Sequence, residues 1–375
     1  VRVVIAPDKF KGCLDAQSVC SAIAAGWKRA DPHAEPDLCP MADGGEGIVA
    51  ALVAATGGRM IIRRVTGPLP EMKVDAAFGM LGDGRTAVVE IAAACGLALL
   101  KPEDRDPMAT TSFGAGELIC GAIDAGAKHI IVGLGGSATI DCGIGIAQAC
   151  GLTVLLAGGE LVSPTEPLTG ADLEKVIFIK HGRGGKVDRI TLSAACDVNN
   201  PLCGPNGAAA IFGPQKGATP EQVMWFDRTL ARLAERTGHQ QLALAPGAGA
   251  AGGLGFALLA YFGASLKPGI EIVIEAVKLE ERLRGADLCI TGEGRLDAQS
   301  FMGKTVGGVA GLCRKMGVKC VAIAGSVEAT DGLVAAYAIS DGDISIEESM
   351  VRAAELIADT AESLARREFK SGSGC

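Results

Sequence analysis

Aromatic residues are scarce in this chain, supplying 4% of it, and the hydrophobic share of 49% is carried mainly by Ala, Val, Leu and Ile. That balance points away from β-sandwiches and toward repeated β-α units. Concentrated positive charge is missing as well: no basic block exceeds Arg366-Arg367, and the formal net charge is -8. Nucleic acid therefore has no electrostatic footprint here, and an acidic or phosphorylated ligand needs local positive groups. The four histidines (His33, His129, His181, His239) show no zinc-like spacing, and the thirteen cysteines contain no C-x-x-C pair. An odd thiol count of that size predicts reduced cysteines in the cytosol, since an oxidising compartment would invite mispairing. The only membrane-length suspect, residues 247–266, is uncharged but holds six glycines. A glycine loop opening a buried helix is expected there, and no membrane partner. Val1 to Pro7 reads at once as a strand, so no signal peptide is expected.

Glycine is what the chain has in excess, at 53 of 375 residues, and it clusters in short runs. A chain of this length predicts two domains. Residues 2–6 read as a strand, followed by a helix with Asp15 as N-cap and Val19, Ile23 and Trp27 on one face. A strand is expected near 37–41, then the turn Ala42-Asp43-Gly44-Gly45-Glu46-Gly47 and a helix from Ile48 to Ala55. The far end repeats that rhythm with strands at 286–291, 318–324 and 335–339, a helix at 304–316, and a closing helix marked by Ile346, Met350, Ala353, Ile357 and Leu364. Between them, strands are expected at 87–92 and 130–133, and helices at 113–125 and from Thr219-Pro220. The fold class expected is α/β: a discontinuous, doubly wound, Rossmann-like domain (1–63 and 271–375) with an inserted second α/β domain (64–270). Residues 371–375 read as a flexible tail.

Ligands of open parallel sheets collect beyond the carboxyl ends of strands, where turns offer backbone N–H groups and helix N-termini. Asp8 and Lys11, Asp43 and Glu46, then Glu293, Arg295 and Asp297 all follow predicted strands. The inserted lobe adds Gly133 to Thr139, Cys196 to Pro201, Gly213 to Gly217 and Gly247 to Gly253. A cleft gathering glycine backbone, carboxylates for Mg²⁺ and a few cations is what phosphoryl transfer requires, because its catalysis is largely positioning and electrostatics. Rival motifs fall short. Residues 298–305 (AQSFMGKT) miss the P-loop because Ala298 stands where Gly is required, and GGSAT at 135–139 is not a nucleophile elbow, since it ends in Thr. Gly247 to Gly252 matches G-x-G-x-x-G, but Pro246 spoils a preceding strand.

Several long blocks, in order, resemble class I glycerate kinases: IAPDKFKG (5–12), MADGGEG (41–47), GGSAT (135–139), CDVNNPLCGPNGAAAIFGPQKGA (196–218), PGAGAAGGLG (246–255) and TGEGRLDAQSFMGK (291–304). The resemblance implies transfer of the γ-phosphoryl group of ATP to D-glycerate with Mg²⁺, usually giving 2-phosphoglycerate in bacterial members. Departures from the family pattern stand at Lys9, Cys13, Ile48, Ile140 and Cys142, while Asp141 is retained. On that basis Asp197, then Asp8, is expected to accept the proton of the attacking hydroxyl, with Lys11 and Lys304 offsetting phosphate charge. Asp43, Glu46 and Asp297 are the expected Mg²⁺ ligands. Gly44, Gly45, Gly292, Gly294, Gly249 and Gly252 are expected to line the nucleotide. Arg295 with Gly135, Gly136 and Ser137 is expected to receive the carboxylate of glycerate. A monomer or homodimer is expected. The competing reading is an NAD-dependent hydroxy-acid dehydrogenase acting on the same small substrate.

Overall fold

A computed structural model describes residues 1–180, 186–340 and 344–372; His181 and Cys375 lie outside them. The chain divides into two compact units: unit 1 is Val1–Asp43, Ala50–Gly57 and Ile270–Cys375, and unit 2 is Gly44–Val49 and Gly58–Gly269. The strands, in chain order, are β1 (Val3–Ile5), β2 (Asp37–Leu38), β3 (Arg59–Thr66), β4 (Lys73–Met80), β5 (Thr86–Glu90), β6 (His129–Gly133), β7 (Thr153–Leu156) and β8 (Val176–Lys180). They continue with β9 (Thr191–Ala195), β10 (Ser265–Lys267), β11 (Leu288–Thr291), β12 (Arg295–Leu296), β13 (Lys319–Ala324), β14 (Ser326–Val327) and β15 (Ala335–Ala338).

Unit 1 is built on a parallel sheet of order β15-β13-β11-β1-β2. Its inner strands are continuous apolar runs, as a sheet covered on both faces demands. Val3, Ile5, Leu288, Ile290, Val321 and Ile323 pack with residues of the helices Ala16–Ala30 and Ala353–Gly372. The Asp15 carboxylate accepts the Ser18 N–H at 2.7 Å, and Val19, Ile23 and Trp27 are fully buried. Truncating Trp27 to Ala would cost about 3–5 kcal/mol. The two helices approach so closely that a Cβ at Gly26 would lie 1.9 Å from the Ala358 carbonyl oxygen. On the other face, Ala322 and Ala324 meet Val306 of the helix Thr305–Met316. Two expectations need correction. The closing helix is broken at Arg352 into Ile346–Val351 and Ala353–Gly372, and it runs through Ser371 and Gly372, where a flexible tail was expected.

Unit 2 holds a mixed six-stranded sheet of order β10-β9-β6-β5-β4-β3. Its β10, β9, β6 and β5 are parallel, and β5, β4 and β3 antiparallel. Of these, only β5 and β6 were expected from the sequence. β3 is an edge strand whose Arg59, Arg63 and Arg64 face water, the charge that protects an edge from mispairing and also hides its apolar alternation. The expected domain break after residue 63 falls inside β3, every residue of which pairs with β4. The helix Pro220–Arg236 opens with a capping box between Thr219 and Gln222, and buries Phe226, Leu230 and Leu233. The segment Ala250–Phe262 carries left-handed backbone at Ala251, Gly252 and Gly253, so a glycine loop does open the helix there. Among the described residues, no helix is long and apolar enough to cross a membrane.

Candidate functional site

In unit 1 the turns at the carboxyl ends of β1 and β11 are bonded together, the Asp8 N–H donating to the Gly292 carbonyl at 2.8 Å. Asp8 is almost fully buried; its carboxylate accepts the Lys9 N–H at 2.7 Å and the hydroxyl of Thr305, the first residue of the helix Thr305–Met316. Burial pushes its pKa up to about 6, with repulsion from Asp43 adding to the rise and the Thr305 hydrogen bond opposing it. Glu293, between Gly292 and Gly294, is raised by burial too. Asp297 and Asp43 add to that rise, while Ser300 and Lys304 oppose it. One of its oxygens, Oε1, is buried and has no hydrogen-bond partner among the described residues. Asp43 therefore acts on both Asp8 and Glu293, while Asp297 and Lys304 act on Glu293. Glu293 was not among the expected ligands, although its place directly after a predicted strand was the available signal.

Other expected residues of this unit are placed differently. Arg295 is exposed and pairs with Glu328 at 3.0 Å and Asp297 at 3.7 Å, so its charge is already matched. Lys11 is exposed, although its backbone N lies near Gly294, 3.4 Å from where a Cβ would be. Asp297 caps the turn Ala298–Phe301, accepting the Gln299 N–H at 2.8 Å. Gly292 is required sterically, because a Cβ would meet the Ile323 carbonyl oxygen at 1.9 Å.

In unit 2 the glycine-rich segments converge. A Cβ at Gly252 would sit 1.9 Å from the Thr139 carbonyl oxygen, one at Gly249 would sit 2.2 Å from that of Pro201, and one at Gly44 would sit 2.5 Å from the Cα of Gly269. Gly45 lies beside Gly135, and the Gly136 carbonyl accepts the Leu97 N–H at 2.7 Å. Beneath this loop is Lys216, which was not singled out. The turn Pro214–Lys216 drives its side chain inward, where Nζ donates to the Ser137 hydroxyl at 2.8 Å and the Thr139 carbonyl at 2.7 Å. Burial lowers its pKa to about 8, against the opposing pull of Cys95 and Asp141. The hydroxyl oxygen of Thr139 is buried and has no partner among the described residues.

Three acids of unit 2 are anchors. Asp141 is fully buried and accepts the Ser112 N–H at 2.8 Å, the Ser112 hydroxyl at 2.7 Å and the Gly143 N–H at 3.1 Å. Glu90 accepts the N–H groups of Gly47 and Val49 at 3.0 Å each, which orders the turn that begins at Gly44. Asp197 is exposed and accepts the Gly269 N–H at 2.8 Å. Glu46 is exposed and belongs to this unit, whereas Asp43 belongs to the other. The departures Ile48, Ile140 and Cys142 are fully buried.

Gly247 to Gly252 follows the short helix Gln240–Ala243, so the strand that a dinucleotide fingerprint needs is absent there. Comparisons with known proteins give the dehydrogenase reading no support. A family profile described as the glycerate kinase family matches residues 3–368. The chain is 45% identical to a glycerate kinase of Bacillus subtilis (strain 168), with 97% of each chain covered. It is 46% identical to a glycerate 2-kinase of Escherichia coli (strain K12), covering 90% of this chain and 89% of that one. A crystal structure from Salmonella typhimurium LT2, provisionally designated glycerate kinase 2, superposes with a TM-score of 0.88 at 43% identity, covering 100% of this chain and 99% of that one. From that full-length agreement in sequence and structure, the chain belongs to the glycerate kinase family.

Proposed function

We propose that this enzyme transfers the γ-phosphoryl group of ATP to D-glycerate with Mg²⁺, giving 2-phosphoglycerate. Its membership of the glycerate kinase family supports the reaction class, and the glycerate 2-kinase among its relatives supports the product. Support for the metal comes from Glu293, whose orphaned buried oxygen, acted on by Asp43, is a donor set suited to a hard cation. Asp43 and Glu293 would hold the ion, which when bound supplies positive charge to the phosphate oxygens. Lys304 and the N-terminal amides of the helix Thr305–Met316 offer the cationic environment a phosphate needs. Asp8, and not the exposed Asp197, is taken as the proton acceptor, because a carboxylate raised to about 6 is matched to work near neutral pH. In unit 2, Lys216 braces the Gly135 to Thr139 loop, whose amides and Ser137 suit the carboxylate of the substrate. The parallel sheet of unit 1 supports reading it as the discontinuous Rossmann-like domain, with unit 2 as the inserted domain. The twelve described cysteines are all free, which supports a reducing, cytosolic setting.

Phosphorus NMR of the chain incubated with D-glycerate, ATP and Mg²⁺ is the test. A phosphate resonance coupled to the carbon-2 proton of glycerate, with ADP formed in step, is expected. Coupling to the carbon-3 protons would overturn the product, and ATP left intact would overturn the reaction.

A further inference from the structure

Away from the acidic turns, unit 1 brings together three cysteines that the sequence leaves 24 and 7 positions apart. Cys289 on β11 and Cys320 on β13 are partners in the parallel ladder, so their side chains leave the sheet on the same face. That face is covered by the helix Thr305–Met316, and Cys313 in its last turn reaches down to both. All three are buried, and their Sγ atoms lie within 4.8 Å of one another. No histidine or carboxylate joins the group among the described residues. The electrostatic influences on Cys313 and Cys320 come only from each other, from Cys289 and from burial, with no cation contributing.

These observations select among thiol-binding ligands. Three sulfurs without a fourth donor do not make a closed tetrahedral zinc site. Sulfur bonds of about 2.3 Å to one central atom set sulfur–sulfur spacings of about 4 Å, which the cluster can meet with little movement. Charge then decides. Three thiolates around a monovalent soft ion leave two negative charges, around a divalent ion one, and around a trivalent metalloid none. A charge buried without a counter-ion is costly, so the neutral adduct is the one this site accommodates.

We propose that Cys289, Cys313 and Cys320 form a three-thiol trap for a trivalent, thiophilic metalloid of the arsenite class. Arsenous acid reacts with three thiols to give a tris-thiolate and three waters: three As–S bonds form, three As–O bonds break, and each thiol proton leaves on a departing hydroxyl. Arsenic keeps its oxidation state, so no oxidant or reductant is needed. Cys313 is the sulfur that attacks first, since hydrogen bonds from its two neighbours stabilise its thiolate. It also sits one turn from the exposed end of the helix, where Gly317 closes it in the left-handed conformation and local fraying admits a small neutral solute. The adduct ties the helix to both strands, and binding to the folded chain alone raises its melting temperature.

Native mass spectrometry of the full chain, incubated anaerobically with sodium arsenite and no added thiol, should show one arsenic gained and three hydrogens lost, with a higher melting temperature. Cys313→Ala should weaken arsenite binding by roughly 100-fold, because the third bond forms at the high effective concentration of a tethered group. Its residual adduct should have lost only two thiol hydrogens and should keep one hydroxyl on arsenic. If circular dichroism shows Cys313→Ala to be poorly folded, Cys320→Ala gives the same reading. Cys120→Ala, which breaks the two-thiol contact with Cys150 in unit 2, should leave the adduct intact. Absence of an adduct from the wild-type chain, arsenic spread over several cysteines, or full binding by a folded Cys313→Ala would overturn the proposal.

Discussion

Each unit withdraws a charged side chain from water beside a glycine-rich turn, and the sign differs: a carboxylate in unit 1 and a lysine in unit 2. Unit 1 buries Asp8 and half-buries Glu293, and removal from water raises both pKa values. Unit 2 hides Lys216, and burial lowers its pKa. In each case removal from water disfavours the ionised form, so each region is relieved by a ligand of the opposite charge. On the proposed function the acidic turns take a cation and the lysine-braced loop an anion. The comparison also separates roles among similar residues: both oxygens of Asp141 and Oε1 of Glu90 accept from N–H or O–H donors and serve the fold, whereas Oε1 of Glu293 has no partner among the described residues.

The sharpest way to break this contrast is Asp8→Asn. The amide keeps an oxygen for the Thr305 hydroxyl but cannot take a proton, so kcat should fall roughly 1000-fold when ADP formation is followed. Stability should move the other way. Between about pH 4 and 6 the folded chain still holds the Asp8 proton that the unfolded chain has released, so wild-type stability declines as pH rises through that window. Above it, Asp8→Asn should be more stable by on the order of 1–3 kcal/mol, a gain that vanishes near pH 4 in denaturant titrations. Turnover close to wild type would remove Asp8 from the chemistry.

Lys304→Ala comes next, with a loss of roughly 100-fold in kcat if the lysine stabilises the transferring group; an unchanged rate excludes it. Lys216→Met tests unit 2. Between about pH 8 and 10.5 the folded wild type holds fewer protons than the unfolded chain, so its stability should rise with pH across that range, by on the order of 2 kcal/mol. The variant should lose this slope, and the loosened loop should raise KM for glycerate more than it lowers kcat. A persisting slope would mean that another group titrates. The smallest effect is expected at Arg295. Its pairs with Glu328 and Asp297 are exposed and screened by water, and Arg295→Ala should leave KM for glycerate nearly unchanged.

How far the sequence foretold this contrast differs between the units. In unit 1, continuous apolar strands and periodic helices made β1, β11, β13 and the helices around Ala16–Ala30 and Thr305–Met316 legible; Asp8 and Asp43 followed from strand ends, and Lys304 from the family resemblance. In unit 2 the short β9, with its Ser and Ala, and the charged edge strand β3 carried weak periodicity, and four of the six strands were unseen. Lys216 was hidden for a related reason: a lysine between glycines reads as a surface turn, and only the fold shows that turn facing inward. The trio of Cys289, Cys313 and Cys320 was equally unreadable, because strand register, and not spacing, brings it together.

On the proposed function, the half-buried carboxylates Asp43 and Glu293 of unit 1 hold the divalent ion. Water-proton relaxation with Mn²⁺ standing in for Mg²⁺, measured on the wild-type chain and on Glu293→Gln in the presence of nucleotide, addresses it without turnover. Loss of the charged oxygen donor should weaken Mn²⁺ binding at least about tenfold, the change expected for roughly 1.4 kcal/mol. Equal affinity in the two proteins would contradict the account.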